Sequence, residues 1–174
     1  MRRILIVDDQ LINREHLRNV LEEDGYEIET VADGHAAMAR LHARNFHLII
    51  TDLRMPIMGG LELLAKVRAQ KLSVGLIILT AYGDPGDAFD AMKAGADEYV
   101  TKPFDPEHIR LRVRRILERR QLIDELAQLR SQLKEEHRGQ TMVSKSPKMR
   151  KIFDLIDQVG PLGSTVLIGG ETGT

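Results

Sequence analysis

The sequence predicts a doubly wound α/β domain, with five parallel strands joined by helices that cover both faces of one sheet. Three observations lead there. Short apolar runs recur at Ile4 to Val7, Leu48 to Ile50 and Leu76 to Leu79, each bounded by polar or turn residues, as strands buried on both faces require. Stretches with apolar residues at helical spacing lie between them. Four strand ends stop in polar groups, at Asp8-Asp9, Asp52, Thr80 and Lys102. In an open parallel sheet those ends share one edge, where such folds place their ligands.

Taken in order, Arg3 to Val7 is a strand ending abruptly in Asp8-Asp9. A helix follows with Leu17, Val20 and Leu21 on one face, stopping near Gly25. Tyr26 to Val31 alternates in strand fashion, and Asp33-Gly34 opens an Ala-rich helix that ends near Asn45. The central strand runs from Leu48 into Thr51-Asp52, a Met-Pro-x-Met-Gly-Gly loop succeeds it, and a helix from Gly60 carries Leu61, Leu64 and Val67. Leu76 to Leu79 ends in Thr80-Ala81, and a weaker helix from about Gly86 to Ala94 is closed by Gly95. Glu98 to Thr101 is a short fifth strand before Lys102-Pro103. Strands alternating with helices in this way imply right-handed crossovers.

Asp105-Pro106-Glu107 starts a last, long helix, with Asp as cap and Pro in the first turn. Neither Gly nor Pro recurs before Gly139, so about 32 residues are free to form a helix of about 48 Å. Ile109, Val113 and Ile116 are expected to pack on the sheet. Leu122, Leu126, Leu129 and Leu133 then recur at spacings of four, three and four, flanked by Asp124, Glu125, Arg130 and Lys134. That is a coiled-coil seam of about two heptads, read as a parallel homodimer contact, with an isolated solvated helix as the alternative. Six arginines (110, 112, 114, 115, 119 and 120) suggest nucleic acid. The interspersed acids and missing aromatics favour a salt-bridged helix face instead.

The chain has no Cys and no Trp, which excludes disulfides and thiolate metal sites. No apolar run reaches membrane-spanning length and the N-terminus lacks a signal-peptide hydrophobic region, so a soluble cytoplasmic protein is the expectation. The net charge of −1 hides an asymmetry. Residues 1–106 carry 12 Lys/Arg against 17 Asp/Glu, residues 107–138 carry 9 against 6, and residues 139–174 carry 4 against 3.

Three carboxylates, a hydroxyl and an ammonium are thus expected at one sheet edge. Each has an ordinary explanation: Asp9 as a helix cap, Thr80 as a β-branched strand end, Lys102 as a solvated lysine. Four successive strand ends make joint coincidence the weaker account. Clustered carboxylates repel and resist ionisation unless a cation neutralises them. An all-oxygen donor set with room for water and phosphate suits magnesium. A lysine opposite pairs with a phosphoryl oxygen as a point charge.

With these residues quoted, residues 2–120 resemble the receiver domain of bacterial two-component response regulators. The resemblance implies a flavodoxin-like strand order 2-1-3-4-5. It implies that Asp52 accepts a phosphoryl group from a histidine kinase or a small phosphodonor. Magnesium is then held by Asp8, Asp9, Asp52 and the backbone carbonyl of Arg54. Thr80 is the switch hydroxyl, Tyr99 the coupled aromatic, and Lys102 the phosphoryl-binding ammonium before a cis peptide bond to Pro103. Such a module is no enzyme beyond its own phosphorylation and dephosphorylation. The rival class, haloacid-dehalogenase-like phosphatases, needs a second acid two residues beyond the nucleophile, and Arg54 stands there.

The tail is similar to another family. After a linker at Gly139 to Lys145, Ser146-Pro147 starts an amphipathic helix with Met149, Ile152, Phe153 and Ile156 on one side. Val166-Leu167-Ile168 reads as a strand, and Gly170 with Gly173 begins the spacing of a P-loop without reaching its lysine. Residues 141–174 therefore resemble the opening of the AAA+ ATPase domain of sigma-54-dependent, nitrogen-regulator-type transcriptional activators. The expected organisation is a receiver (1–120), an extended dimerising helix (107–138), and a linker with an ATPase fragment (139–174). In that family the receiver–linker dimer controls an ATPase ring that remodels RNA polymerase holoenzyme. Contacts to sigma factor and DNA would come from parts absent here. The alternatives are a receiver used only as a scaffold, or one with a different output domain.

Overall fold

The computed structural model describes residues 2–81, 85–138 and 146–160 together with 165, 167 and 169, the side chains of 85, 132–138 and 157 excepted. Five strands are formed: β1 (Arg3–Val7), β2 (Glu27–Val31), β3 (Leu48–Asp52), β4 (Gly75–Thr80) and β5 (Glu98–Thr101). The helices are α1 (Leu11–Glu22), α2 (Gly34–Ala43), α3 (Gly60–Ala69), α4 (Pro85–Lys93), α5 (Pro106–Arg138) and α6 (Pro147–Val159). The chain divides into two compact units, Met1–Ala127 and Gln128–Thr174, described separately below.

In the first unit all strand pairs are parallel, in the order β2-β1-β3-β4-β5. This is the flavodoxin-like order. Alternation along the strands divides the core into two layers. Leu5, Val7, Ile49, Leu76 and Ile78 pack with Ala37, Met38, Leu63, Leu64, Val67 and Ala91 of α2, α3 and α4. Ile4, Ile6, Leu48, Ile50, Ile77 and Leu79 pack with Leu17, Leu21, Ile109 and Val113 of α1 and α5. Both faces being covered explains why β1, β3 and β4 read as unbroken apolar runs. Asp33 caps α2, accepting the Ala36 N–H at 2.8 Å, and Asp105 accepts the Glu107 N–H at 2.8 Å at the start of α5.

Register sets the site edge. Val7 lies beside Val31 on one side and Thr51 on the other, Thr51 beside Ile78, and Ile78 beside Tyr99. One residue further on, Asp8 and Asp52 are neighbours across β1 and β3. Thr80 pairs with Thr101 one row beyond, and its carbonyl accepts the Lys102 N–H at 2.6 Å.

α5 buries Ile109, Val113, Ile116 and also Leu117 against the sheet. Past them Leu122 and Leu126 are 61% and 55% exposed. In the second unit Leu129 is 55% exposed, while the side chain of Leu133 lies outside the described residues. α6 forms where the Ser146-Pro147 start predicts, with Ile152, Leu155 and Ile156 exposed. The linker from Gly139 to Lys145, and Val166, Ile168, Gly170 and Gly173 of the expected strand and P-loop, lie outside the described residues.

Candidate functional site

Three of the expected side chains meet at the carboxyl edge of the sheet. The Lys102 ammonium lies 2.7 Å from Asp8 Oδ2 and 2.5 Å from Asp52 Oδ1. Asp8 is 1% exposed, and the Lys102 and Asp52 side chains 19% and 13%. A solvated lysine is therefore ruled out at this position. Burial alone would lower the affinity of Lys102 for its proton. Hydrogen bonds to Asp52 and Asp8, and their charges, outweigh that and raise its pKa above the ordinary 10.5.

The remaining acceptor positions are used locally. Asp8 Oδ1 takes the Gln10 N–H at 2.9 Å, and the Asn13 side-chain amide spans both Asp8 oxygens at 3.1 and 3.2 Å. Asp52 Oδ2 takes the Arg54 N–H at 2.8 Å. Arg14 clamps the turn between β1 and α1 by donating to the carbonyls of Asp8 and Asp9 at 2.6 and 3.1 Å. The cap position of α1 belongs to Gln10, so Asp9 does not cap that helix. Asn13 and Arg14 carried no sequence signal, being ordinary polar residues of an amphipathic helix.

The backbone beneath Asp52 is tightly built. A Cβ on Gly60 would collide with the Asp52 carbonyl oxygen and lie 3.2 Å from the methyl of Thr51. Only glycine lets α3 begin so close behind the strand end. The buried Thr51 hydroxyl donates to the same carbonyl at 3.0 Å.

The other expected residues are placed as follows. Thr80 is buried at 2% exposure at the end of β4. Tyr99 is half-buried against the layer that holds α2, α3 and α4. The Lys102-Pro103 bond is cis. Asp9 is exposed. Among the described residues no group of three His, Cys, Asp or Glu side chains stands ready to hold a metal ion. The donor set nonetheless fits a hard divalent cation. Asp8 and Asp52 already converge on one positive centre, and Asp9 adjoins Asp8 in the chain.

Arg110, Arg112 and Arg120 of α5 form ion pairs, as a salt-bridged face leads one to expect, but mostly across to other elements. Arg110 pairs with Glu23 and with Asp24, Arg112 with Glu98 at 2.6 Å and Arg120 with Asp97 at 2.9 Å. Apart from Arg110 with Glu107 at 3.5 Å, these partners belong to the end of α1 and to the start of β5, not to acids of the same helix. Spacing along one helix cannot reveal such contacts. Asp97 is a hub that sequence reading missed, accepting from Arg68, Arg120 and the Leu76 N–H within 3.1 Å.

Among the described residues no helix is long and apolar enough to cross a membrane. Residues 4–114 match the response regulator receiver domain family. The chain is 36% identical over 172 residues to the alginate biosynthesis transcriptional regulatory protein AlgB of Pseudomonas aeruginosa, covering 99% of this chain and 38% of that one. It is 33% identical to the transcriptional regulatory protein ZraR of Klebsiella oxytoca, covering 98% and 38%. The chain thus spans under two fifths of these relatives' length. A CheY-like response regulator receiver domain from Methanospirillum hungatei superimposes with a TM-score of 0.67 at 30% identity, covering 70% of this chain and 97% of that one. An acid pair bridged by a lysine on a 2-1-3-4-5 sheet agrees with these matches, and the chain belongs to the response regulator receiver domain family of two-component systems.

Proposed function

We propose that Asp52 is the phosphoacceptor of this receiver. A carboxylate oxygen of Asp52 attacks the phosphorus of a histidine kinase's phosphohistidine, the P–N bond breaks, and the imidazole leaves as the acyl phosphate forms. The observation that carries this reading is the single ammonium shared by Asp8 and Asp52. Phosphoryl transfer depends chiefly on positioning and on neutralising charge. Lys102 already stands on the attacking carboxylate, where it pairs with an incoming phosphoryl oxygen. The Arg54 N–H on Asp52 Oδ2 orients the same carboxylate. Asp8, Asp9, Asp52 and the Arg54 carbonyl are the groups that would hold magnesium, which supplies further neutralisation of phosphoryl charge.

Thr80 is the hydroxyl that turns toward the phosphoryl group, and Tyr99 the ring that follows it. The module itself has no catalytic output beyond gaining and losing its own phosphoryl group. Downstream, the similarity to transcriptional regulatory proteins over residues on both sides of α5 supports a sigma-54 activator. In that reading a homodimer formed through the receiver and the α5 seam controls an ATPase that begins near residue 141, with Gly170 and Gly173 in its P-loop. The protein works in the cytoplasm, and sigma factor and DNA are met by parts outside this chain.

Treatment with acetyl phosphate and magnesium tests the central claim. The wild type is expected to take up one hydroxylamine-labile phosphate, and Asp52→Asn none while keeping its circular dichroism. Uptake by Asp52→Asn at the wild-type level would refute the assignment. A scaffold-only receiver would show no uptake in either chain.

A further inference from the structure

We infer that the side-chain amide of Asn13 competes with magnesium for Asp8, and so sets how tightly this receiver holds the ion. The inference rests on Asp8 belonging to the magnesium set proposed above.

The acceptor positions of Asp8 carry it. A carboxylate offers about four lone-pair sites, two on each oxygen. On Oδ1 the Gln10 N–H and the Asn13 amide take both, at 2.9 and 3.1 Å. On Oδ2 the Lys102 ammonium and the same amide take both, at 2.7 and 3.2 Å. The side chain is 1% exposed, so bulk solvent adds no further partner. Asp8 therefore turns toward a cation, or toward a water bound to one, only when a donor leaves.

Of these contacts the two from Asn13 are the weakest. Lys102 is charged and also binds Asp52, and charge-assisted bonds are the strong ones. The Gln10 N–H is fixed in the turn between β1 and α1, which Arg14 clamps at the carbonyls of Asp8 and Asp9. The Asn13 donor is neutral, its bonds are longer than the other two, and one nitrogen is shared between two oxygens. The same nitrogen reaches Gln10 Oε1 at 3.4 Å, an acceptor that a released amide can keep. Room to move lies beside it, because Asn13 lines a cavity of about 400 Å³ with His16, Leu17, Lys102, Pro103 and Phe104.

Magnesium chloride is the probe, titrated at pH 7 without a phosphodonor and followed by the amide NMR shifts of residues 8–13 and 52–54. Asn13→Ala is expected to bind the ion about two- to tenfold tighter than wild type, the span of one net hydrogen bond. The magnesium needed for half-saturation with beryllofluoride, a phosphoryl mimic, should fall as well. Asn13→Ser, too short to span both oxygens, should act likewise and guards against a fold defect peculiar to the alanine variant. Ile12→Ala, one residue away and 75% exposed, should bind magnesium as wild type does. Amide hydrogen exchange across β1 and β3 should be the same in all four chains. An amide that merely props Asp8 in place predicts the opposite sign, because its loss loosens a ligand. Weaker magnesium binding by Asn13→Ala and Asn13→Ser would therefore overturn the competition. Unchanged binding would overturn it too, and make Lys102 the donor that yields. Either result leaves Asp8 in the magnesium set. A wild type without magnesium-dependent shifts would overturn that set, and the competition with it.

Discussion

The ammonium of Lys102, at the end of β5, stands 2.7 Å from the carboxylate of Asp8, at the end of β1, although 94 residues separate them. It also holds Asp52, so one cation keeps two acids from facing each other unneutralised. Lys102→Met leaves both carboxylates without it and is expected to destabilise the receiver by about 1–3 kcal/mol at neutral pH. The pH dependence has a definite sign. Because folding raises the Lys102 pKa, its contribution is complete below 10.5 and disappears as pH climbs through the raised value. Urea unfolding of both chains from pH 7 to 11 should show the gap narrowing only at the alkaline end. A gap that is constant to pH 11 counts against the bridge.

At the opposite edge of the sheet, Asp97 gathers Arg68, Arg120 and the Leu76 N–H. Its side chain is 9% exposed, and burial lowers the Arg68 pKa despite the opposing pull of Asp97. Asp97→Ala leaves two guanidiniums facing each other and an amide without its acceptor. A loss of about 3 kcal/mol is expected, with the midpoint of urea unfolding as the measure. Asp97→Asn keeps an acceptor and should lose less. Equal losses in the two variants would show that the charge carries the whole effect, and an Asp97→Asn chain as stable as wild type would show that charge is irrelevant here.

These two clusters differ in how far they are legible from sequence. Asp8, Asp52 and Lys102 each end a strand, and strand ends in a parallel sheet are brought together by topology alone. The fold itself was readable for a related reason: strands buried on both faces are unbroken apolar runs, and Asp33 and Asp105 mark helix starts by their own chemistry. Asp97 also adjoins β5, but at its first end, and its partners are arginines in α3 and α5 chosen by packing rather than by spacing. The Arg54 side chain, unlike its backbone carbonyl, was visible only as the absence of a second acid, although its guanidinium lies 3.5 Å from Asp87 Oδ2. Its reach to Asp87 depends on where α4 sits, and the weak helical pattern after Thr80 does not determine that.

Gly60 offers a test of the backbone behind Asp52, the proposed acceptor. A Cβ there runs into the Asp52 carbonyl oxygen and crowds Thr51, and neither is the movable end of a flexible side chain. Gly60→Ala must shift α3 or the end of β3, at an expected cost of about 1–3 kcal/mol. The displaced strand end should also slow phosphate uptake from acetyl phosphate, since the carboxylate must meet phosphorus in line. Destabilisation with an unchanged uptake rate would mean that the strain is absorbed by α3 alone.

Thr80→Ala separates acceptance from response. The hydroxyl is buried at the end of β4, one row beyond Asp52, and removing it should leave phosphate uptake at Asp52 within about twofold of wild type. The change in Tyr99 fluorescence and in α4 exchange on adding beryllofluoride should fall by more than half. Here the argument is one of population: a ligand shifts an equilibrium only through contacts it makes in one state. A full response in Thr80→Ala would remove this hydroxyl from the switch.

The α5 seam makes the last prediction. Leu122 and Leu126 are more than half exposed, as is Leu129 beyond them, although each has a large apolar side chain. Full burial of a leucine contributes about 1.5–3 kcal/mol, so pairing two seams removes from water apolar surface that each copy leaves exposed. Sedimentation of the wild type should give a concentration-dependent dimer. Leu126→Lys places like charges at the contact and should return the protein to a monomer without changing the receiver's unfolding midpoint, because Leu126 contributes nothing to the buried core. An equally dimeric Leu126→Lys would transfer the contact from α5 to the receiver surface. A wild type that is monomeric with and without beryllofluoride would make α5 a solvated helix.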